Sequence, residues 1–291
     1  MSDQIVTDRG KFRRRAVAFL AAVANYVVLI VAALLYIAPI LFMIVASFKP
    51  DDRVLPEAGS WEAFFPDQVT TENYGDVFER VRFGRYMFNS IFITGSIVIG
   101  GLVVNSLAAY ALARLQWRGR GAVFRLVLAL MILPIQAIAV PLFYEATVLG
   151  WRDTYVAQII PFVANAFAIY LFYAFFIGMP REFEEAARID GAGVWRTLIE
   201  VILPNAKPAF AAVAITTFLM YWGLYLWPLM ITTHEDVRPL PLAIATFRTL
   251  PPLKWADIMA FSVMMVGPVL VVFIVFQRWF VRGVATSGIK G

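Results

Sequence analysis

The chain has 291 residues, 61% of them hydrophobic and only 15% charged, with a mean hydropathy of +0.74. A soluble domain is nearer half apolar and a quarter charged, so this composition specifies a polytopic membrane protein, and the net charge of +5 reads as membrane orientation, not nucleic-acid binding. With no cysteine and a lone histidine, His234, the sequence excludes a disulfide framework, a thiolate nucleophile and a Cys-based metal site.

Six apolar stretches reach the roughly 20 residues that a helix needs to cross a bilayer. They run over about 22–47, 87–113, 123–144, 155–178, 208–231 and 256–281, giving an all-α membrane protein of six transmembrane helices. Ahead of the first lies an N-terminal segment, 1–21, with Arg13-Arg14-Arg15. The apolar run behind it continues to Ala46, about twice the length of a signal-peptide core, and reads as an uncleaved anchor. The segment 48–86 carries eight acidic residues among short apolar patches and reads as a cap holding one or two surface helices, such as Thr71–Arg80. Pro39, Pro134, Pro141, Pro161, Pro228 and Pro268 fall inside spans, where each frees a carbonyl that a neighbouring helix or water must satisfy. No 20–50-residue repeat is present.

Lysine and arginine set the orientation. Sixteen of the 25 lie at the N-terminus, after the second span, in the 179–208 loop and in the tail 282–291 with the end of the last span; nine lie on the other side. Both termini are therefore expected on the cytoplasmic side, with 48–86 on the outer side, although Arg80, Arg82 and Arg85 locally oppose that assignment.

The most informative stretch is Met179–Pro208. Arg181–Ile189 favours a helix with acidic residues in its first turn, and Arg181→Glu185 and Glu184→Arg188 are i,i+4 pairs. Phe183, Ala186 and Ala187 are expected on one small-residue face. Asp190-Gly191-Ala192-Gly193 marks a reversal. Trp195, Leu198, Ile199 and Ile202 then predict a second amphipathic helix, ended by Pro204. The pattern fits a charged hairpin in the aqueous phase, either lying on the membrane or docking on a partner.

In the same residues, Glu185-Ala186-Ala187, Gly191 and Leu203-Pro204 resemble the EAA motif of permease subunits of binding-protein-dependent ABC importers, with Val201 standing where the family has isoleucine. The resemblance extends to Asn73-Tyr74, Asn89-Ser90, Ala109–Arg114, Pro134 with Pro141-Leu142, Trp222 with Leu226-Trp227-Pro228, and the C-terminal Gly288–Gly291. It is similar to the carbohydrate subgroup, of the maltose G type and its glycerol-phosphate and multiple-sugar relatives. That resemblance implies a MetI-like bundle with a cytoplasmic coupling helix that seats in an ATPase subunit. Glu184, Glu185, Ala186, Ala187, Arg188, Asp190, Gly191, Leu203 and Pro204 would form the coupling element, and Gly288, Lys290 and Gly291 the tail contact with the ATPase. The implied partners are a second homologous permease, an ATPase dimer, an extracytoplasmic solute-binding protein and the lipid bilayer. No G-x-x-x-x-G-K-[ST] occurs, so this chain is expected to bind no cofactor, with ATP and Mg on the separate ATPase.

For the solute, Thr217, Tyr221 and Tyr225 form an i, i+4, i+8 stripe beside Trp222, suited to a sugar ring or to an interfacial aromatic belt; Trp227 reads nearer the belt. Gln136, Asn105 and Asn165 are amides at membrane depth, expected to face the bundle or a cavity, and Gln136 and Asn165 join the candidate path. Gly223 stands where many relatives carry Asn, which leaves oligosaccharide, monosaccharide and glycerol-phosphate diester open. Two other classes fit the sequence less well. An ion-coupled secondary transporter needs intramembrane carboxylates, whereas Glu145 and Asp257 flank span ends. An intramembrane enzyme is disfavoured by the absence of cysteine, the single outer-side His234 and the lack of paired intramembrane carboxylates.

Overall fold

A computed structural model describes the backbone of residues 2–287 and the side chains of 19–276, and no strand occurs among them. The helices are α1 (Ser2–Ala46), α2 (Asp51–Val54), α3 (Glu72–Arg80), α4 (Phe83–Ala113), α5 (Arg120–Leu130), α6 (Ile135–Val148), α7 (Tyr155–Val163) and α8 (Ala166–Ile177). There follow α9 (Glu182–Ile189), α10 (Val194–Thr197), a π-helical turn (Leu198–Ile202), α11 (Leu203–Asn205), α12 (Lys207–Trp222), α13 (Leu226–Ile231), α14 (Leu240–Phe247) and α15 (Trp255–Ser287). Two compact units emerge: Met1–Val77 with Lys254–Val263, and Phe78–Leu253 with Met264–Gly291.

In the first unit, the Phe19–Ala46 part of α1 is apolar nearly all round, and its most hydrophobic stretch has no buried residue, as a lipid-facing helix requires. Its end packs through Phe42 and Ala46 on Val54, Trp255, Ala256 and Met259. Beyond it, polar fasteners hold the 48–77 segment. Asn73 Nδ2 donates to the carbonyls of Ser47 and Lys49, both at 2.8 Å. The buried Lys49 ammonium donates to Glu57 Oε2 at 2.8 Å and to the Glu62 carbonyl at 2.6 Å. The Lys49 hydrogen bond, with the charges of Lys49 and Arg53, outweighs desolvation and holds the Glu57 carboxyl below its usual range. The helix expected at Thr71–Arg80 is α3.

The second unit is built on α4, against which α7, α8 and α12 pack. Lipid tails are as apolar as leucine, so this association rests on close van der Waals contact and interhelical hydrogen bonds. The sequence of α4 supplies both. A Cβ at Gly101 would stand 3.3 Å from the Val163 carbonyl and from Asn105 Nδ2. Near its C-terminal end Ala109, Tyr110 and Ala113 pack in one cluster with Phe172, Phe176, Leu198 and Ile202.

Several expected spans are broken. The stretch predicted as one helix over 123–144 is α5 and α6, bent by 103° about Met131–Pro134. Pro134 has no N–H to give and sits extended at ψ 145° as the N-cap of α6, which explains the break. The span predicted over 208–231 ends as a helix at Trp222, and Gly223–Tyr225 separate it from α13. Val194–Asn205 and α12 form a second bent pair, at 75°. Among the described residues, four helical stretches, Phe19–Ala46, Phe83–Ala113, Tyr155–Ile177 (α7 with α8) and Trp255–Phe276, are long and apolar enough to cross a membrane, and there are up to six when each bent pair counts as one span.

Candidate functional site: the 179–208 loop and the polar line along α4

The loop begins where α8 ends. Three acidic residues open α9, as its positive N-terminal end favours. The helix stops in a Schellman turn: the Gly191 N–H donates to the Arg188 carbonyl at 3.0 Å and the Ala192 N–H to the Ala187 carbonyl at 2.8 Å. Gly191 is left-handed there, at φ +74°, and a Cβ on it would meet nothing within 4 Å. Within this chain its glycine is required by backbone conformation, not by crowding.

The two faces of α9 differ. Glu185, Ala186, Arg188 and Asp190 are exposed and Ile189 is 87% exposed, whereas Glu184 and Ala187 turn inward. Glu184 Oε1 lies 3.5 Å from Arg114 Nε, with only 11% and 4% of the two side chains exposed. The expected shared face of Phe183, Ala186 and Ala187 is thereby corrected: Ala187 is buried and the other two are exposed, because Ala187 alone shares the inward turn with Glu184. The apolar stripe of the following helix also splits. Leu198 and Ile202 enter the core, while Trp195 and Ile199 stay 67% and 59% exposed. Nor does Pro204 end the helix: the π turn runs on through α11 with Pro204 near its start, and the break comes at Ala206. Leu203 packs on the core and Pro204 is exposed. Gly288, Lys290 and Gly291 lie outside the described residues.

Among the candidate path residues, Tyr221 and Asn165 come together. Asn165 Nδ2 donates to the Tyr221 hydroxyl at 3.0 Å, and Asn165 Oδ1 caps α8 through the Ala168 N–H at 3.0 Å. Asn105 completes the network from α4, donating to the Val163 carbonyl at 3.0 Å and accepting from the Asn165 N–H at 2.9 Å. These amides satisfy the backbone groups freed where α7 gives way to α8. Thr217 is buried, Trp222 donates Nε1 to the Met265 carbonyl at 3.1 Å, and Tyr225 and Gln136 are exposed away from this network. Trp227 is no interfacial belt residue: it is 1% exposed, and its Nε1 donates to the Ala157 carbonyl at 2.9 Å. The cavity that Tyr221 and Trp222 line, with Thr94 and Gln158, has about 20 Å³, room for a single water and far short of a sugar ring.

Sequence reasoning missed the fasteners at the other end of α4. Asn89 Nδ2 donates to the carbonyls of Asp236 and Arg238, and its Oδ1 accepts from the Tyr155 hydroxyl at 2.7 Å. Arg82 pairs with Asp236 at 2.8 Å, and Gln158 Nε2 donates to the Val237 carbonyl at 2.8 Å. Asp153 accepts from the backbone N–H groups of Thr233 and His234 and from the Thr233 hydroxyl. The Asn89-Ser90 pair was the one signal available, since Ser90 Oγ also accepts from the Leu240 N–H at 2.8 Å.

Comparison with known proteins fits this architecture. The profile of the family described as binding-protein-dependent transport system inner membrane component matches residues 101–286. The arabinooligosaccharides transport system permease protein AraQ of Halalkalibacterium halodurans is 34% identical over 254 residues, covering 87% of this chain and 91% of its own. The diacetylchitobiose uptake system permease protein NgcG of Streptomyces coelicolor is 33% identical over 261 residues, with 88% and 85% covered. The sn-glycerol-3-phosphate transport system permease protein UgpE of Yersinia enterocolitica is 31% identical over 274 residues, with 90% and 95% covered. A chain in the crystal structure of a bacterial ABC transporter involved in the import of the acidic polysaccharide alginate superposes with a TM-score of 0.81 at 27% identity, covering 90% of this chain and 96% of that one. Sequence and fold thus agree along nearly the whole length, and the chain belongs to the inner membrane components of binding-protein-dependent transport systems, as a non-catalytic permease subunit of an ABC importer.

Proposed function

We propose that this chain forms half of the translocation pathway for a sugar or sugar-like solute, and that ATP hydrolysis on a separate chain reaches it through the 179–208 loop. The carrying observation is the two-faced α9: Glu185, Ala186 and Ile189 point to solvent while the opposite face is anchored to the bundle. A helix held on one side and bare on the other is built to receive a partner. That partner is the ATPase, with ATP and Mg²⁺ bound there. A second permease completes the pathway, a solute-binding protein delivers the solute on the outer side, and both termini lie in the cytoplasm.

The carbohydrate assignment is supported by the named cargoes of AraQ and NgcG, arabinooligosaccharides and diacetylchitobiose. It is also supported by charge. No lysine or arginine occurs in 86–113, 126–151, 155–180, 208–237 or 255–277, so beyond Arg125 at the start of the third span these stretches offer no fixed cation for a phosphate and suit an uncharged saccharide.

The test uses the assembled transporter in proteoliposomes with its binding protein. Glu185→Lys and Gly191→Trp are expected to abolish uptake of labelled arabinotriose or diacetylchitobiose and the stimulation of ATPase by the loaded binding protein. Uptake and stimulation at wild-type levels in both variants would overturn the coupling role of the loop.

A further inference from the structure

We infer that Arg114 is a positioning residue that fastens the coupling helix to α4, so that movement of α9 is delivered to the helix on which the bundle is built. The inference rests on the proposed docking of the 179–208 loop on an ATPase, and it assigns Glu184 an internal role, not a contact with that partner.

The geometry is specific to an arginine. Arg114 follows the last residue of α4, and its N–H still closes that helix on the Tyr110 carbonyl at 2.9 Å. Its guanidinium Nη2 donates to the Met179 carbonyl at 2.6 Å, just beyond the end of α8. On the other edge its Nε lies 3.5 Å from Glu184 Oε1 of α9 as a buried ion pair, and neither of these two atoms has a hydrogen-bond partner. One planar group therefore hydrogen-bonds a carbonyl on one edge and sets its charge against a buried carboxylate on the other, a placement that an ammonium on a flexible stem does not hold at fixed angles. Apart from this link, α9 packs on α10 and the π turn. Water-accessible pockets of about 280 and 220 Å³ flank the pair, lined among others by Arg120, Arg181 and Glu185 on one side and by Tyr110, Arg188 and Thr197 on the other. Space beside the pair lets α9 shift, and the guanidinium makes α4 shift with it. From there α4 reaches the break between α7 and α8 through Asn105, and the 236–238 segment through Asn89.

The test compares Arg114→Met, Arg114→Lys, Glu184→Gln, the single charge reversals and the swap Arg114→Glu/Glu184→Arg in the complete transporter with its binding protein. Solute moved per ATP hydrolysed is the readout, and subunit co-purification and basal ATPase are recorded beside it. Expected is a fall of about tenfold in solute per ATP for Arg114→Met and about threefold for Arg114→Lys and Glu184→Gln, with assembly and basal ATPase kept. The swap should recover part of what either reversal loses, which lost packing alone would not do. Wild-type solute per ATP in Arg114→Met overturns the inference, as does loss of assembly in Arg114→Met together with wild-type coupling in the milder Glu184→Gln. Gly191→Trp run in parallel separates the two failures: if it uncouples while the Arg114 variants do not, only the positioning role falls; if it too is coupled, the docking of the loop falls.

Discussion

Asp153 shows how much one side chain can be asked to hold. It is non-glycine at φ +56°, a left-handed conformation that aspartate tolerates better than most residues. Its carboxylate gathers two backbone N–H groups and a hydroxyl from Thr233 and His234, so the lone histidine contributes its backbone to this clamp. Burial alone would raise the Asp153 pKa, but the hydrogen bonds outweigh it and hold the group below the ordinary 3.8. A lowered folded-state pKa means stability that is full above pH 3.8 and lost as pH falls through the folded value. Asp153→Asn keeps the turn but removes the charge, so its melting temperature should lie below wild type at pH 7, and the gap should close below pH 3.8. Asp153→Ala adds backbone strain and should lose about 2 kcal/mol at neutral pH, with a remainder that survives acid. Thermal unfolding in detergent across pH 3–7 checks both; a gap for Asp153→Asn that does not change with pH would remove the charge from the account. Nothing local in the sequence marked this residue, because its partners lie 80 positions away. Glu184 and Glu185 make the same point: both stand in the first turn of α9, and only its packing decides which one faces inward.

At the level of elements, the hydrophobic runs announced helices but not where they break. Each break has a local cause that periodicity does not register: a missing N–H at Pro134, an amide at Asn165 able to cap a new helix, and Gly223 after Trp222. The break between α7 and α8 is stable because α4 meets it closely. A Cβ at Gly101 would press on the Val163 carbonyl and Asn105 Nδ2 at 3.3 Å, tighter than ordinary contact, whereas one at Gly95 would meet nothing within 4 Å. Gly101→Ala should therefore separate α4 from the break, weaken both Asn105 hydrogen bonds and destabilise by about 1–2 kcal/mol. Gly95→Ala gains helix propensity on the same helix and should be neutral or stabilising by up to about 1 kcal/mol. Melting curves of the two variants side by side make the comparison, and equal effects would show that Gly101 matters only as a helical glycine. The small-residue character of α4 was visible in the sequence; the particular carbonyl it approaches was not.

Over the whole molecule, class and span number were legible because they follow from composition and length, quantities that do not depend on how helices pack. Orientation is a different kind of inference. It rests on the distribution of charge, sixteen lysines and arginines against nine, and the opposing cluster at Arg80, Arg82 and Arg85 is occupied structurally. Arg80 donates to the carbonyls of Leu250 and Pro252, Arg82 pairs with Asp236, and Arg85 donates to the Asp236 carbonyl. Arginines engaged in holding one end of the bundle have a structural use there, so the inferred cytoplasmic side of the 179–208 loop rests on the distribution of the others. The absence of cysteine makes this directly measurable, since every introduced thiol is unique. Gly59→Cys lies exposed in the 48–86 segment with open space around its Cβ, and Gln116→Cys lies exposed just beyond α4 at the opposite end of that helix from Asn89. In intact spheroplasts a membrane-impermeant maleimide should label Cys at position 59 at once and the one at 116 only after permeabilisation. Reversed labelling would place the coupling loop outside, where no ATP is available, and would remove the coupling mechanism together with the orientation.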